Sequence, residues 1–279
     1  MSGKVVLITG ASSGLGELMA YEYAKRGAYL AIIAIKEPES RLEQVARTAR
    51  ELGSPDVLFM FADVSKVDDC RMFVDSTVKY FGRLDHLVCN AGIGAIYSID
   101  IDVSKFEPVM DVNFWGSVYP THFAIPHLVK TNGKIIVNSS SSGALSVPKA
   151  GVYGASKAAL ISFYESLRHE VSPTVTITIV TLGFIETDII TSKYFSNTVS
   201  VGLKRDVCIQ RWGPMRALKR SWMEYAKEKR RLHSQGSSKP SSSSNIYSQK
   251  YIVSTSMFIF PGCMLNCKGM DDHHDNVKC

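Results

Sequence analysis

Short runs rich in β-branched and aromatic residues punctuate the first two thirds of the chain, at residues 4–8, 29–34, 57–61, 86–89, 134–137 and 175–181, and read as strands. Between them apolar residues return at intervals of three and four, as at Leu42, Val45, Ala46, Ala49 and Leu52, the spacing of one helix face. This alternation predicts an α/β fold of Rossmann type: a doubly wound parallel sheet with helices on both faces and ligands at the carboxyl edge of the strands. The rhythm stops near Ile190. A basic stretch (204–231), a Ser-rich run (234–245) and a β-prone piece (251–260) follow it. The expected organisation is therefore a dinucleotide-binding catalytic domain over 1–190 and an atypical basic, Ser-rich, partly disordered tail over 191–279, without a final strand.

Charge follows the same division. Residues 1–190 carry 17 Lys and Arg against 20 Asp and Glu, and residues 191–279 carry 15 against 6, so the formal charge of +6 belongs to the tail. It says nothing of what the main domain binds, and no nucleic-acid module accompanies it. Six scattered cysteines form no disulfide framework and no leader opens the chain, which points to a reducing, cytoplasmic setting. The longest apolar stretch, 252–265, is broken by Ser254, Thr255, Ser256, Pro261 and Gly262, so no membrane span is expected.

Directly after the first strand stand Thr9, Gly10, Ala11, Ser12, Ser13, Gly14, Leu15 and Gly16, followed by a helix expected from Gly14 to about Arg26. Glycines there permit positive φ, let backbone approach a pyrophosphate and set that anion on a helix N-terminus. The spacing is TGxxxGxG rather than the common GxGxxG. Where an NAD enzyme normally shows an acidic residue after the second strand, this chain has Ala34, then Ile35 and Lys36, with Arg41 beyond. The cations favour NADP(H). The alternative for Lys36 is a solvated loop lysine beside Glu37 and Glu39.

Tyr153 and Lys157 form YxxxK at the start of a helix, on one face, where an ammonium can stabilise a phenolate and so suit the phenol for proton exchange with an alcohol. Ser140 ends a strand and Asn113 lies in another crossover, both near the carboxyl edge.

With the Asn90-Ala91-Gly92 triplet added, these motifs resemble the short-chain dehydrogenase/reductase family, and within it the plant 11β-hydroxysteroid dehydrogenase-like proteins, the steroleosins of seed oil bodies, over about residues 2–190. The resemblance implies that Tyr153 is the general acid/base, that Lys157 lowers its pKa and holds the nicotinamide ribose, and that Ser140 hydrogen-bonds the substrate oxygen. It further implies that Asn113 positions a water relaying protons through Lys157, that Asp63 and Val64 bind adenine, that Asn90 supports the cofactor pocket, and that Thr187 meets the carboxamide. Read from residue type alone, Asn90 and Asn113 equally suit loop and helix stabilisation. Three departures stand out: Leu182-Gly183 replaces the frequent Pro-Gly, Ala34-Ile35-Lys36 replaces Ala-Arg-Arg, and Met1 stands directly before the first strand where such proteins carry an apolar anchor.

The expectation is an NADP(H)-dependent oxidoreductase of a hydrophobic secondary alcohol or ketone, with hydroxysteroid and steroid metabolism suggested by the resemblance. A homodimer and peripheral contact with endoplasmic reticulum or the oil-body (lipid-droplet) membrane belong to the same expectation. The rival is a catalytically weak dinucleotide-binding scaffold. In the tail, Met215, Leu218, Trp222 and Tyr225 share a helical face among basic residues, which suits an interfacial helix less well than a solvated segment. Cys263, Cys267, His273, His274 and Cys279 match no common zinc spacing, so no metal is expected.

Overall fold

The computed structural model describes residues 1–37, 41–97, 99–183 and 251–253. Strands β1 (Val5–Thr9), β2 (Tyr29–Ala34), β3 (Val57–Phe61), β4 (His86–Cys89), β5 (Lys134–Ser140), β6 (Thr176–Leu182) and β7 (Tyr251–Val253) form one sheet in the order β3-β2-β1-β4-β5-β6-β7. Every pairing in it is parallel. Helices α1 (Gly14–Ala24), α2 (Arg41–Glu51), α3 (Val67–Phe81), α4 (Glu107–Met110), α5 (Gly116–Thr131) and α6 (Gly151–Val171) make the crossovers.

Period two along the strands divides the core between the faces. Val5, Leu7, Ala31, Ile33, Leu87 and Ile135 pack with Phe73 and Val74 of α3, Leu128 of α5, and Leu160 and Tyr164 of α6. Their neighbours Val6, Ile8, Leu30, Ile32 and Val88 turn the other way, onto Ala20 and Tyr23 of α1 and Leu42, Val45, Ala46 and Ala49 of α2. The chain leaves β1 towards β2 on one side and reaches β4 on the other, so a crevice opens at the end of β1.

Two expectations need correction. The fifth strand continues past Val137 to Ser140, because Asn138, Ser139 and Ser140 pair with Val180, Thr181 and Leu182. Their polar side chains masked the strand but find internal partners: Asn138 Nδ2 donates to Asn90 Oδ1 at 2.7 Å, and Ser139 Oγ to the Lys157 carbonyl at 3.0 Å. The sheet also gains a strand from the tail, since Tyr251–Val253 pairs with Ile179, Val180 and Thr181. Three residues are too few to show a period, and their partner lies far back in the chain. The interfacial-helix residues Met215, Leu218, Trp222 and Tyr225 and the cluster from Cys263 to Cys279 lie outside the described residues. Among the described residues, no helix is long and apolar enough to cross a membrane, and no cluster of metal-binding side chains occurs.

Candidate active site

The glycine turn sits in the crevice at the end of β1. Gly10 and Gly14 have φ of +64° and +59°, a region that a side chain resists. At Gly16 the constraint is space: an added Cβ would lie 2.1 Å from the Gly10 carbonyl oxygen and 2.5 Å from Asn90 Nδ2. Asn90 holds the turn from β4, with Nδ2 donating to the carbonyls of Thr9 (3.0 Å) and Gly10 (2.9 Å). The Thr9 hydroxyl accepts from the backbone N–H of Asn90 at 3.1 Å and of Ala91 at 3.2 Å. Asn90 and Ala91 thus shape the turn. Leu15 packs on Leu182, as does Val180.

Helix α1 starts at this turn with Ser13 as N-cap, whose side chain makes no capping bond. Its first-turn N–H groups lack intrahelical partners and stand at the positive end of the helix dipole. That donor set fits the pyrophosphate of a dinucleotide.

At the end of β2, Ile35 is 59% exposed and Lys36 is exposed. Glu37 turns inward, and its Oε1 accepts from Ser12 Oγ at 3.2 Å. At the end of β3, Asp63 Oδ1 accepts from the backbone N–H (2.9 Å) and hydroxyl (2.8 Å) of Ser65. The Val64 side chain is buried over Gly116, where an added Cβ would meet Val64 Cγ2 at 2.6 Å.

The reactive side chains converge on the far wall of the crevice. A single π turn, Asp111–Trp115, joins α4 to α5 and carries Asn113, which is fully buried. Such turns place a side chain off the regular helical ladder. Asn113 Oδ1 accepts from the Ile93 N–H at 2.8 Å, while Nδ2 donates to the Ile93 carbonyl at 3.0 Å and to Ser156 Oγ at 3.1 Å. Ser156 in turn donates to the Tyr153 carbonyl at 2.7 Å. A Cβ on Gly92 would lie 3.1 Å from Asn113 Oδ1 and 3.6 Å from Lys157 Nζ, so both groups border the backbone of the Asn90-Ala91-Gly92 triplet.

Ser140 caps the short turn Ser141–Gly143, accepting from the Ser142 N–H at 3.2 Å. That turn lies directly on α6: an added Cβ at Gly143 would meet the Lys157 carbonyl carbon at 2.8 Å, and one at Gly154 the Ser142 oxygen at 2.9 Å. Ser140 and Tyr153 are thereby brought into hydrogen-bonding range. Burial raises the Tyr153 phenol above its ordinary pKa and the Ser140 hydrogen bond opposes that rise in part. Lys157 is 5% exposed, and burial pushes its ammonium down to about 8. Its Nζ donates to the Asn138 carbonyl at 3.0 Å and stands 5.8 Å from the centre of the Tyr153 ring. The lowering of the Tyr153 pKa expected from Lys157 is therefore not the net result here, because desolvation of the phenol outweighs what opposes it.

Sequence reading missed Asn138 and Ser156, which tie Lys157 and Asn113 in place. Their signal was weak: a polar residue next to a buried strand run, and a serine inside YxxxK. Thr187 lies outside the described residues.

Comparison with known proteins gives the family and the fold. The family described as short chain dehydrogenase matches residues 4–196. The chain is 53% identical over 214 residues to "11-beta-hydroxysteroid dehydrogenase 1A" of Arabidopsis thaliana, covering 76% of this chain and 61% of that protein. It is 54% identical over 209 residues to "11-beta-hydroxysteroid dehydrogenase A" of Arachis hypogaea, covering 74% and 59%. It thus spans about three fifths of the length of these relatives. Among solved structures, an alcohol dehydrogenase from the archaeon Thermococcus sibiricus complexed with 5-hydroxy-NADP superposes with a TM-score of 0.66 at 27% identity, over 83% of this chain and 90% of that one.

Proposed function

The chain belongs to the short-chain dehydrogenase family, and on that premise we propose that it is an oxidoreductase interconverting a hydrophobic secondary alcohol and its ketone with NADP(H). A hydroxysteroid is the substrate class suggested by the names of its relatives, and the bound 5-hydroxy-NADP of the archaeal neighbour supports the cofactor class. The observation that carries the reading is the convergence of Ser140, Tyr153 and Lys157 beside a glycine turn at one sheet edge.

The nicotinamide, when bound, supplies or takes the hydride. The turn from Gly10 to Gly16 and the start of α1 would hold the pyrophosphate of the bound cofactor, and Lys36, exposed after β2, would offer a cation to a 2′-phosphate. Tyr153 gives its proton to the substrate oxygen during reduction, and its raised pKa keeps that proton in place near neutral pH. Ser140 donates to the same oxygen and fixes its position. Lys157, next to the Tyr153 ring, stabilises the phenolate left behind and holds a proton that it can release near pH 8.

Replacing Tyr153 tests this directly. Tyr153→Phe removes a proton donor and little else, so ketone reduction should fall by a factor of about 100 or more, with dinucleotide affinity unchanged within a few fold. Steady-state rates with NADPH against a panel of ketosteroids and simpler hydrophobic ketones measure this, and near-normal turnover in the variant would remove the mechanism.

A further inference from the structure

Asn138 makes hydrogen bonds in two directions from one buried position near the end of β5. The last residues paired between β4 and β5 are Cys89 and Val137, so Asn90 and Asn138 stand one step beyond the ladder. There a side-chain bond takes over the link, with Asn138 Nδ2 donating to Asn90 Oδ1 at 2.7 Å. Hydrogen-bonding capacity allows this bond only one polarity. The carbonyls of Thr9 and Gly10 accept and cannot donate, so Asn90 must turn its NH2 group to them and its oxygen to Asn138, which must answer with its own NH2 group. The backbone carbonyl of the same Asn138 accepts from Lys157 Nζ at 3.0 Å and is the one acceptor of that ammonium among the described residues. Ser139 Oγ donates to the Lys157 carbonyl at 3.0 Å, so consecutive residues of β5 hold both ends of the lysine. An unbroken line of hydrogen bonds thus runs from the glycine turn through two amides to the Lys157 ammonium.

We propose that Asn138 is a positioning residue that places the Lys157 ammonium relative to the glycine turn, so that the two ends of the dinucleotide site keep one spacing. The proposal rests on the dinucleotide reading above. In that reading the hydride goes to the carbon whose oxygen takes a proton from Tyr153, which brings the nicotinamide half of the cofactor beside the wall that carries Lys157. The ADP half stays with the turn. A charge favours a ligand most when it is already held where the ligand needs it, and the amide bridge supplies that preorganisation. Without the Asn138 side chain, Asn90 keeps its bonds to Thr9 and Gly10, and the turn keeps its shape. What is lost is the reference between that turn and the carbonyl that holds Lys157.

Dissociation constants of NADPH and ADP, measured by calorimetry at pH 7 on the full chain and apart from any turnover, test this in a double-mutant cycle of Asn138→Ala with Lys157→Met. Asn138→Ala should weaken NADPH binding about tenfold in the parent. In the Lys157→Met background, where no ammonium is left to place, the same substitution should cost less than about twofold. ADP reaches the turn but lacks the nicotinamide half, so it should bind Asn138→Ala as it binds the parent, within about twofold. Asn138→Val, which suits a strand and offers no donor, should repeat both results, and it carries the cycle if the alanine variant does not fold. A residue that only braced the sheet would weaken NADPH and ADP together, and equally in both backgrounds. That outcome would overturn the proposal while leaving the dinucleotide reading intact, as would NADPH affinity unmoved within about twofold by the substitution in the parent. Failure of both ligands to bind the parent would overturn the dinucleotide reading itself.

Discussion

Lys157 shows at the scale of one residue how function is held against stability. Its folded pKa of about 8 lies below the ordinary 10.5, so between those values the fold binds fewer protons than the unfolded chain. The resulting penalty is absent well above pH 10.5, grows as pH falls, and is complete below about pH 8. It amounts to about 3 kcal/mol, offset in part by the hydrogen bond to the Asn138 carbonyl. Lys157→Met should therefore raise the melting temperature of the ligand-free protein at pH 7 by a few degrees while abolishing turnover. Calorimetry at pH 7 and pH 10 measures the effect, and the gain should shrink at the higher pH. A variant that melts lower than the parent at both would show that the ammonium is a net structural asset.

At the scale of elements, the position of α6 matters most, because it carries both Tyr153 and Lys157. One polar knot fastens it to α5. The Tyr164 hydroxyl donates to the Ser117 carbonyl at 2.8 Å and shares a 2.7 Å hydrogen bond with Thr121 Oγ1, all of it buried. Tyr164→Phe keeps the ring and leaves Thr121 and Ser117 with one partner fewer. It should lower stability by about 1–2 kcal/mol, read as a shift of the urea midpoint without change in slope. An unchanged midpoint would mean that the ring alone supplies the attachment. The knot also explains why this crossover is hard to read in sequence. Thr121 and Tyr164 are polar by type yet sit at core positions, and the π turn shifts the helical register at Asn113, so no single period runs from Glu107 to Thr131.

For the molecule as a whole, acid stability is set at the edge of the sheet opposite the site. His86 is 5% exposed, and its Nδ1 shares a 3.2 Å hydrogen bond with the Tyr23 hydroxyl. Burial, helped by the Lys134 charge, lowers its pKa from 6.5 to about 4. The unfolded chain thus takes up a proton that the fold refuses: stability is intact above about pH 6.5 and declines as pH falls towards 4. The loss is about 3 kcal/mol from this residue. Beneath it, Asp85 accepts from Lys4, Arg83 and the Val5 N–H. Burial alone would raise the Asp85 pKa, but these bonds together hold it below the ordinary carboxylate range, so its contribution fails only at still lower pH. Urea unfolding at pH 7.5, 5.5 and 4.5 should show the decline, and His86→Phe should flatten it between the first two values. An equal slope in parent and variant would assign the acid sensitivity elsewhere.

The amino-acid sequence by itself determined the six-strand rhythm, the glycine turn and the residue types of the reactive wall, because each is a local pattern. Period two marks a strand, positive φ calls for glycine, and YxxxK spans one helical turn. It could not show that the Asn138 carbonyl supports Lys157, that Glu37 rather than Lys36 reaches the glycine turn, or that Tyr251–Val253 pairs with β6. Those are contacts between segments far apart in the chain. The local period is silent about them, and burial decides their energies: the same desolvation keeps Tyr153 protonated, brings Lys157 to about 8 and holds His86 neutral. Only the tertiary structure, by removing water from particular groups, decided which side chains have shifted acidity and which serve as anchors.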